Sequence, residues 1–260
     1  MHTKYLLWLA VIAAVFMVMY WAGVFGDETI QNVEIVYAAG ATRMADEHDI
    51  ISACGLTGKK IEDVEQLRQE ASKALSAKSG YFYVESAELT GSSSIKLTIG
   101  TRQAIAAVNY GGGYILLDAE GVMLEQCEKT YDTSNLIKLG NISLNKPQLG
   151  SQVVLTDVTD NRLSDMLEIA GVILENGYVS VFVGVDASQA GNGEYIIRAS
   201  TSDHITPVYM NVKSGDSVLY VLDVAYELLQ CNKINGIIRV YGDYAYFEPD
   251  SEEATAAKCM

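Results

Sequence analysis

Residues 5–26, YLLWLAVIAAVFMVMYWAGVFG, contain no charged side chain and constrain the chain more than any other stretch. The hydrocarbon core of a bilayer is about 30 Å thick, and a helix of about 20 apolar residues crosses it. The run is long enough for that, and the sequence after it is polar, acidic and patterned like folded domains. Residues 5–26 therefore predict a transmembrane helix that carries a large water-facing part on one side of the membrane.

The charges beside this stretch predict its orientation. Residues 1–4 contain Lys4, whereas Asp27 and Glu28 begin the acidic sequence that follows. Because cationic flanks stay cytoplasmic, we expect a single-pass protein of the cell membrane with residues 1–4 in the cytoplasm and the bulk of the chain extracytoplasmic. A cleaved signal peptide is the alternative, but its apolar region is about 7–15 residues long and ends at a small-residue cleavage site.

The acidic composition limits the possible partners. The formal net charge is −15, so nucleic acid, anionic lipid and anionic wall polymers would be repelled. The histidines, His2, His48 and His204, lack the paired spacing of metal ligands, and we expect no metal site and no cofactor. Cysteines stand at positions 54, 127, 231 and 259 without a CxxC pair; disulfides are possible outside the membrane, but isolated thiols are the favoured interpretation.

The pattern of residues 28–100 predicts one small α/β unit. Val33, Ile35 and Tyr37 alternate as in a half-buried strand. Asp46 and Asp63 each precede apolar positions at helical spacing, as helix N-caps do. Two strands follow, at 81–89 and 95–99, around a turn at 91–93. The predicted order is β-α-α-β-β, and the polar face of the second helix, at positions 65, 68, 69 and 73, is interpreted as solvated surface.

Four stretches carry a family pattern. DEHDIISACGLTGKKI at 46–61 reads as a helix, a glycine turn and a second helix, and KLTIGTRQAIAAV at 96–108 places Arg102 and Ala104 at a junction. YILLDAEGVML at 114–124 is a hairpin with Asp118 and Gly121, and NLIKLGNISLNKPQLGSQV at 135–153 reads as a linker. With a β-α-α-β-β unit directly after one N-terminal span, these stretches resemble the FtsQ/DivIB family of bacterial cell-division proteins. The glutamate and the proline of that family's junction are absent here.

The resemblance implies two domains behind the span. Residues 28–100 would form a POTRA-like domain and residues 101–249 the β-domain of the family. The short, charged sequence of residues 250–260 predicts a flexible tail after them. In the second part the pattern predicts strands at 105–108, 114–117, 122–124, 178–185, 194–199, 207–212, 237–241 and 244–247, with helices at 163–174 and 216–229. The predicted fold class is α+β: one N-terminal transmembrane helix, a β-α-α-β-β POTRA-like domain, and a mixed α/β domain with a mainly antiparallel sheet.

The sequence contains none of the common catalytic motifs that we searched for. The sequence has no GxSxG elbow, no HExxH and no Walker A motif. The glycines at 111–113 precede neither a helix nor a Lys-Ser/Thr pair, so they predict a hairpin turn. His48 lies between Glu47 and Asp49, but adjacent residues of a helix point in different directions. We expect a protein that is not an enzyme, with no catalytic residue and no small-molecule substrate.

The last predicted strand, at 244–247, is rich in aromatic residues and is predicted to form a sheet edge. Such an edge can be extended by a strand of a partner, whose backbone hydrogen bonds give affinity. The alternative is that the rings cover the core; alternation then allows burial of Tyr244 and Tyr246, or of Phe247, but not of both sets.

The resemblance also implies the partners and the role. In that family the C-terminal strands bind other single-span division proteins, of the FtsB/DivIC and FtsL type, in support of septum formation. Tyr244, Tyr246 and Phe247 are accordingly the candidate partner-binding residues. A membrane-tethered extracytoplasmic sensor is the second hypothesis, and it predicts a concave ligand pocket within residues 101–249.

Overall fold

The computed structural model describes residues 14, 17, 29–41, 45–61, 63–157, 161–187, 194–200, 205–211, 218–231, 236–241 and 244–249. Of the predicted transmembrane stretch 5–26 these include only Ala14 and Met17, both helical. The predicted span, its orientation and the predicted tail at 250–260 therefore lie outside the described residues. Within the described ranges, no helix combines the length and the apolar character needed to cross a membrane.

Contacts between Cα atoms divide the chain into two compact units. The first contains the residues up to Ala74 together with Val84–Gly100. The second contains Leu75–Tyr83 and the residues from Thr101 onward. The second unit thus includes residues 75–83, which contain the end of one helix and the beginning of the next strand. The residues on either side of this segment belong to the first unit.

The first five elements follow the predicted order β-α-α-β-β. They are β1 (Asn32–Tyr37), α1 (Glu47–Cys54), α2 (Val64–Lys78), β2 (Phe82–Leu89) and β3 (Ser94–Thr101). The strands form a three-stranded sheet in the order β1-β3-β2, and β1 runs parallel to β3. The order of elements read from hydrophobic periodicity is therefore confirmed.

Both helices begin at the predicted caps. The Asp46 carboxylate accepts a hydrogen bond from the His48 N–H at 2.8 Å, and the Asp63 carboxylate accepts one from the Glu65 N–H at 2.8 Å. These bonds satisfy backbone donors that have no partner within the helix. Gly55 ends α1 with a φ of 62°, the left-handed conformation that glycine adopts without steric cost.

The core of the first unit lies between the helices and one face of the sheet. Ile95, Leu97 and Ile99 alternate along β3 and are fully buried. Leu67 and Ala71, one turn apart on α2, are buried as well. Burial thus recurs at every second residue of β3 and at every fourth residue of α2, as the sequence pattern predicts.

The second unit is built on one nine-stranded sheet with two helices. Its elements are β4 (Ala106–Tyr110), β5 (Gly113–Leu117), β6 (Met123–Cys127), β7 (Ile137–Gly140), α3 (Arg162–Glu175), a short 3-10 helix (Tyr178–Ser180), β8 (Phe182–Ala187), β9 (Glu194–Ser200), β10 (Ile205–Asn211), α4 (Val218–Cys231), β11 (Gly236–Tyr241) and β12 (Tyr244–Pro249). The strand order is β12-β11-β10-β9-β8-β7-β4-β5-β6. Five neighbouring pairs are antiparallel and three are parallel, so the chain is α+β with a mixed, mainly antiparallel sheet.

Strand β7 corrects the interpretation of residues 135–153 as a linker. Ile137–Gly140 lies between β4 and β8 and runs parallel to both. Ile137 and Leu139 are buried in the core. A strand of four residues is too short for periodicity to reveal, and its parallel partners are distant in sequence.

The predicted strand at 178–185 is wrong at its beginning. Tyr178–Ser180 form a 3-10 helix, and β8 begins at Phe182. The Tyr178 hydroxyl donates a hydrogen bond to the Asp223 carboxylate at 2.5 Å, which raises the pKa of Tyr178, and its ring stacks on Tyr226 at 5.4 Å. Contacts with α4 therefore account for this aromatic position, which sequence alternation assigned to a strand.

The two helices α3 and α4 pack on one face of the nine-stranded sheet. Inward-facing residues of the strands and the buried faces of both helices form a single core cluster. On that face the Tyr195 hydroxyl of β9 donates a hydrogen bond to Asp165 of α3 at 2.5 Å. On the opposite face of β4, β5 and β6 a smaller cluster contains Ala107, Leu116, Val122, Leu124 and Cys127.

Candidate functional site at the sheet edge

The β6 edge of the nine-stranded sheet is covered by the chain itself at Met123 and Leu124, the first two residues of the strand. The Met123 N–H donates to the Ser151 carbonyl at 3.0 Å, and the Gly150 N–H donates to the Met123 carbonyl at 2.8 Å. Farther along, Gly80 lies so close to β6 that a Cβ at position 80 would be 2.4 Å from the Leu124 Cα. Beside Met123 and Leu124, these segments occupy the places that an added strand would need.

Strand β12 forms the other edge, and no described strand pairs with its outer side. Its inner side pairs antiparallel with β11 from Tyr241↔Tyr244 to Gly236↔Pro249. An edge strand presents unpaired N–H and C=O groups to any extended segment that approaches it. The candidate residues Tyr244, Tyr246 and Phe247 thus all lie on the strand that forms this edge.

Pro249 indicates which backbone groups of β12 point outward. Proline has no N–H, and within sheets it occupies positions whose nitrogen faces away from the ladder. Residues of an antiparallel strand alternate between bonding to the neighbour and pointing away from it. Because Pro249 points away from β11, Ala245 and Phe247 do so too. The open edge therefore presents the N–H and C=O groups of Ala245 and Phe247 and the C=O group of Pro249.

The candidate aromatic positions lie on opposite faces of β12. Ala245 and the half-buried Phe247 pack against the core, and a Cβ at Gly236 would be 2.3 Å from the Phe247 ring. Positions 244, 246 and 248 alternate with them and belong to the other face. The side chains of Tyr244 and Tyr246 lie outside the described part of the chain, so their contact with a partner stays a prediction.

An ion pair lies on that other face of the edge. Arg239 Nε is 3.1 Å from Glu248 Oε2, and their side chains are 27% and 54% exposed. Arg239 pairs in register with Tyr246, and Ile237 pairs with Glu248, so the ion pair is diagonal across β11 and β12. Glu248 therefore stands on the outermost strand with a negative charge that faces solvent.

The outer side of β2, by contrast, is bonded to side chains of α2. Arg68 Nη1 donates to the Val84 carbonyl at 3.0 Å, and Ser72 Oγ accepts from the Val84 N–H at 3.1 Å. Ser76 Oγ donates to the Phe82 carbonyl at 2.8 Å. The three side chains are four residues apart and form one stripe of the helix. The interpretation of position 68 as solvated surface is thus wrong, and the spacing was the only signal in the sequence.

Arg102 and Asp118, which belong to separate sequence motifs, meet in one buried cluster. Arg102 Nε is 2.9 Å from Asp118 Oδ2, and the guanidinium lies 4.5 Å from the centre of the Tyr83 ring. Asp118 Oδ1 accepts hydrogen bonds from the Val122 N–H at 2.7 Å and the Glu120 N–H at 3.0 Å. These contacts fix the turn between β5 and β6, which is a structural role.

The described thiols and histidine have the surroundings of structural groups. Cys54 and Cys127 are buried free thiols. Burial raises the pKa of Cys54 to about 11, and burial together with the Glu125 carboxylate raises the pKa of Cys127. Both thiols therefore stay protonated and poorly nucleophilic at neutral pH. His48 is exposed in the first turn of α1, and among the described residues no group of His, Cys, Asp and Glu could hold a metal ion.

The second unit also contains an open cleft of about 590 Å³. The turn 119–122, residues 152–155 and the first turns of α3 line it. Leu163 and Leu167 give it an apolar wall, and Val154 is 48% exposed beside it. Glu120 is the one charged side chain among the described residues that line it.

No protein-family model matches this chain, and no curated protein matches it significantly. The described residues form an α+β protein of two compact units, and in the larger sheet β6 is covered at Met123 and Leu124 while no described strand pairs with the outer side of β12.

Proposed function

We propose that this chain is a non-enzymatic, single-span membrane scaffold of the bacterial division machinery, of the FtsQ/DivIB type. It binds other single-span division proteins, of the FtsB/DivIC and FtsL type, through its extracytoplasmic domains and supports septum formation. One observation carries the proposal: no described strand pairs with the outer side of β12, whereas β6 at the opposite edge is covered at Met123 and Leu124. A strand of a partner would extend the sheet at β12.

The first unit supports the same proposal. Its elements follow the order β-α-α-β-β, which is the order expected for a POTRA-like domain from the sequence resemblance. Side chains of α2 bond the outer backbone of β2 at Phe82 and Val84, so of the β2 and β12 edges β12 is the better-supported docking edge.

Partner capture by the full-length chain tests the binding surface. Tyr246→Lys puts a charge at the middle of the outer strand without changing the ladder to β11, so we expect loss of capture of an FtsB-type partner in a pull-down. The melting temperature should stay within about 2 °C of the unmodified protein. Tyr131→Lys, at an exposed tyrosine outside the sheet edge, is the matched control. Lower stability without a specific binding defect would show that position 246 supports the fold and does not bind the partner.

Depletion in cells tests the role. Because a scaffold of the division machinery is needed to build the septum, we expect filamentous cells that lack septa. Normal division after depletion would contradict the proposal.

A second candidate function is a membrane-tethered ligand-binding module, and the cleft beside α3 favours it. Its volume of about 590 Å³ is within the range of small-molecule sites. A thermal-shift screen with metabolite panels tests this function, and Ser164→Arg, at an exposed position that lines the cleft, should abolish any shift. Stabilisation by a metabolite together with failed partner capture would favour the sensor over the scaffold.

A further inference from the structure

Helix α4 leaves one flank beside the open edge of β12. The helix packs on β11 and β12, and its Asp223 and Tyr226 contact Tyr178, which precedes β8. At about 100° per residue, positions 224 and 228 lie on the opposite side of the helix. Because the sheet runs from β8 to β12 in that direction, the flank with Val224 and Leu228 faces the open edge.

This flank and the edge strand offer an apolar surface. Val224 and Leu228 are half-buried, and Leu228 and Phe247 both pack against the core cluster. A strand added to β12 would lie about 4.8 Å from it and beneath this flank of α4. Every second side chain of that strand would point toward Phe247, Val224 and Leu228. Apolar side chains fit at these positions because a polar one would be buried without a partner.

The other side of the added strand would meet the Glu248 carboxylate, which also pairs with Arg239 of β11. Glu248 is 54% exposed on the solvent face of β12, and the chain as a whole has a net charge of −15. Opposite charges on neighbouring strands stabilise their pairing, and like charges directly across destabilise it. A lysine or arginine therefore fits opposite Glu248, and a glutamate or aspartate does not.

We propose that β12 accepts an extended, alternating segment of a partner protein, with apolar side chains beneath the Val224 and Leu228 flank of α4 and a basic side chain opposite Glu248. Ala245 and Phe247 supply two N–H and two C=O groups to it. Pro249 supplies a C=O group alone, so the pairing ends there. This inference rests on the proposed function, because it describes the segment that docks on the same edge.

Three blocked eight-residue peptides are the probes. The first alternates valine with lysine and threonine, the second replaces each lysine by glutamate, and the third has the composition of the first with its valines contiguous. Binding to the full-length chain is measured by fluorescence anisotropy. We expect the alternating lysine peptide to bind about tenfold more tightly than the glutamate peptide, and more tightly than the contiguous peptide.

Variants of the chain assign the preference to named residues. Glu248→Lys should reverse the order of the lysine and glutamate peptides, and Val224→Lys should weaken both. Ala245→Pro removes one outward N–H but no bond to β11, so it should abolish the binding of all peptides. Glu175→Lys, at an exposed position of α3, is the charge control for Glu248→Lys, and Glu227→Lys, exposed on α4, is the control for Val224→Lys.

The outcomes separate this inference from the proposed function. Three results would overturn the inferred chemistry. The lysine and glutamate peptides could bind equally tightly, or the contiguous peptide could bind as tightly as the alternating lysine peptide. Glu248→Lys could also leave the order of the lysine and glutamate peptides unchanged. If Tyr246→Lys still loses partner capture in that case, the open edge stands as a docking site. If the peptide preferences hold but no division protein is captured, the edge chemistry stands and the proposed partners are wrong.

Discussion

Asp118 is a single residue on which several contacts converge. Its side chain is 7% exposed, lies 2.9 Å from Arg102 Nε and accepts two backbone N–H groups of the turn that follows β5. Removal of one member of a buried ion pair leaves the other charge without compensation. The turn between β5 and β6 thus depends on one carboxylate.

Asp118→Ala should lower the free energy of unfolding by about 3 kcal/mol, since it strands the Arg102 guanidinium and two N–H groups. Glu120→Ala is the matched control, because Glu120 is 77% exposed and 3.9 Å from the same arginine. The control should cost less than about 0.5 kcal/mol. Urea unfolding of both variants measures the difference, and equal effects would contradict the role of Asp118.

Local sequence identified Asp118 and Arg102 separately but not as partners. Each stood in a motif that resembled a family pattern, and 16 positions separate them in the chain. A hairpin and its turn brought the two charges together. For Phe247, the alternation of side chains along the strand predicted that it and the two tyrosines lie on opposite faces. Only the packing shows that Phe247 is on the core face.

Among the elements, α2 has a function that its amphipathic pattern does not reveal. Its apolar face packs on the sheet, and a second stripe bonds the outer backbone of β2 through Arg68, Ser72 and Ser76. The Val84 N–H has Ser72 Oγ as its partner at 3.1 Å. Loss of that oxygen leaves a backbone donor unpaired.

Ser72→Ala should lower the free energy of unfolding by about 1–3 kcal/mol because of this unpaired donor. Hydrogen exchange at the Val84 amide should become faster, which a general loss of helix stability would not single out. Ser52→Ala, at an exposed position of α1, is the control and should change stability by less than about 0.5 kcal/mol. Unchanged protection of the Val84 amide in Ser72→Ala would argue against the capping role.

Elements differ in how far sequence predicts them. The two caps at Asp46 and Asp63 and the hairpin glycines, Gly111 and Gly112 at φ values of 58° and 86°, are local signals, and the structure follows them. β7 and the 3-10 helix at 178–180 had no such signal. The conformation of both depends on elements that are distant in the sequence. β7 pairs with β4 and β8, and Tyr178 contacts α4.

For the second unit as a whole, the two sheet edges differ in exposure. Residues around Gly80 and Gly150 cover β6 at Met123 and Leu124, and the β12 edge is open among the described strands. Natural sheets cover or blunt their edges because exposed edges pair with other chains. An edge left open beside an apolar helix flank is therefore suited to a partner.

Gly80→Ala should disturb the closed edge, because its Cβ would be 2.4 Å from the backbone of Leu124. We expect a loss of about 1–3 kcal/mol in the free energy of unfolding and new self-association through β6. Urea unfolding and sedimentation velocity measure the two effects. Gly171→Ala, where a Cβ meets nothing within 4 Å in α3, should be neutral or stabilising by about 0.5–1 kcal/mol. A monomeric, fully stable Gly80→Ala protein would contradict the covering role of this segment.

The sequence by itself determined the acidic character, the β-α-α-β-β order, the helix starts and the place of the closing hairpin, because charge, periodicity and caps act over a few residues. Tertiary structure decided that β7 lies within the sheet, that side chains of α2 bond the outer backbone of β2, and that β12 rather than β6 has an open edge among the described strands. Those outcomes depend on hydrogen bonds between backbone groups that are far apart in the chain. Local sequence patterns do not predict which distant groups pair with each other. The open edge that supports the proposed function is a result of this second kind.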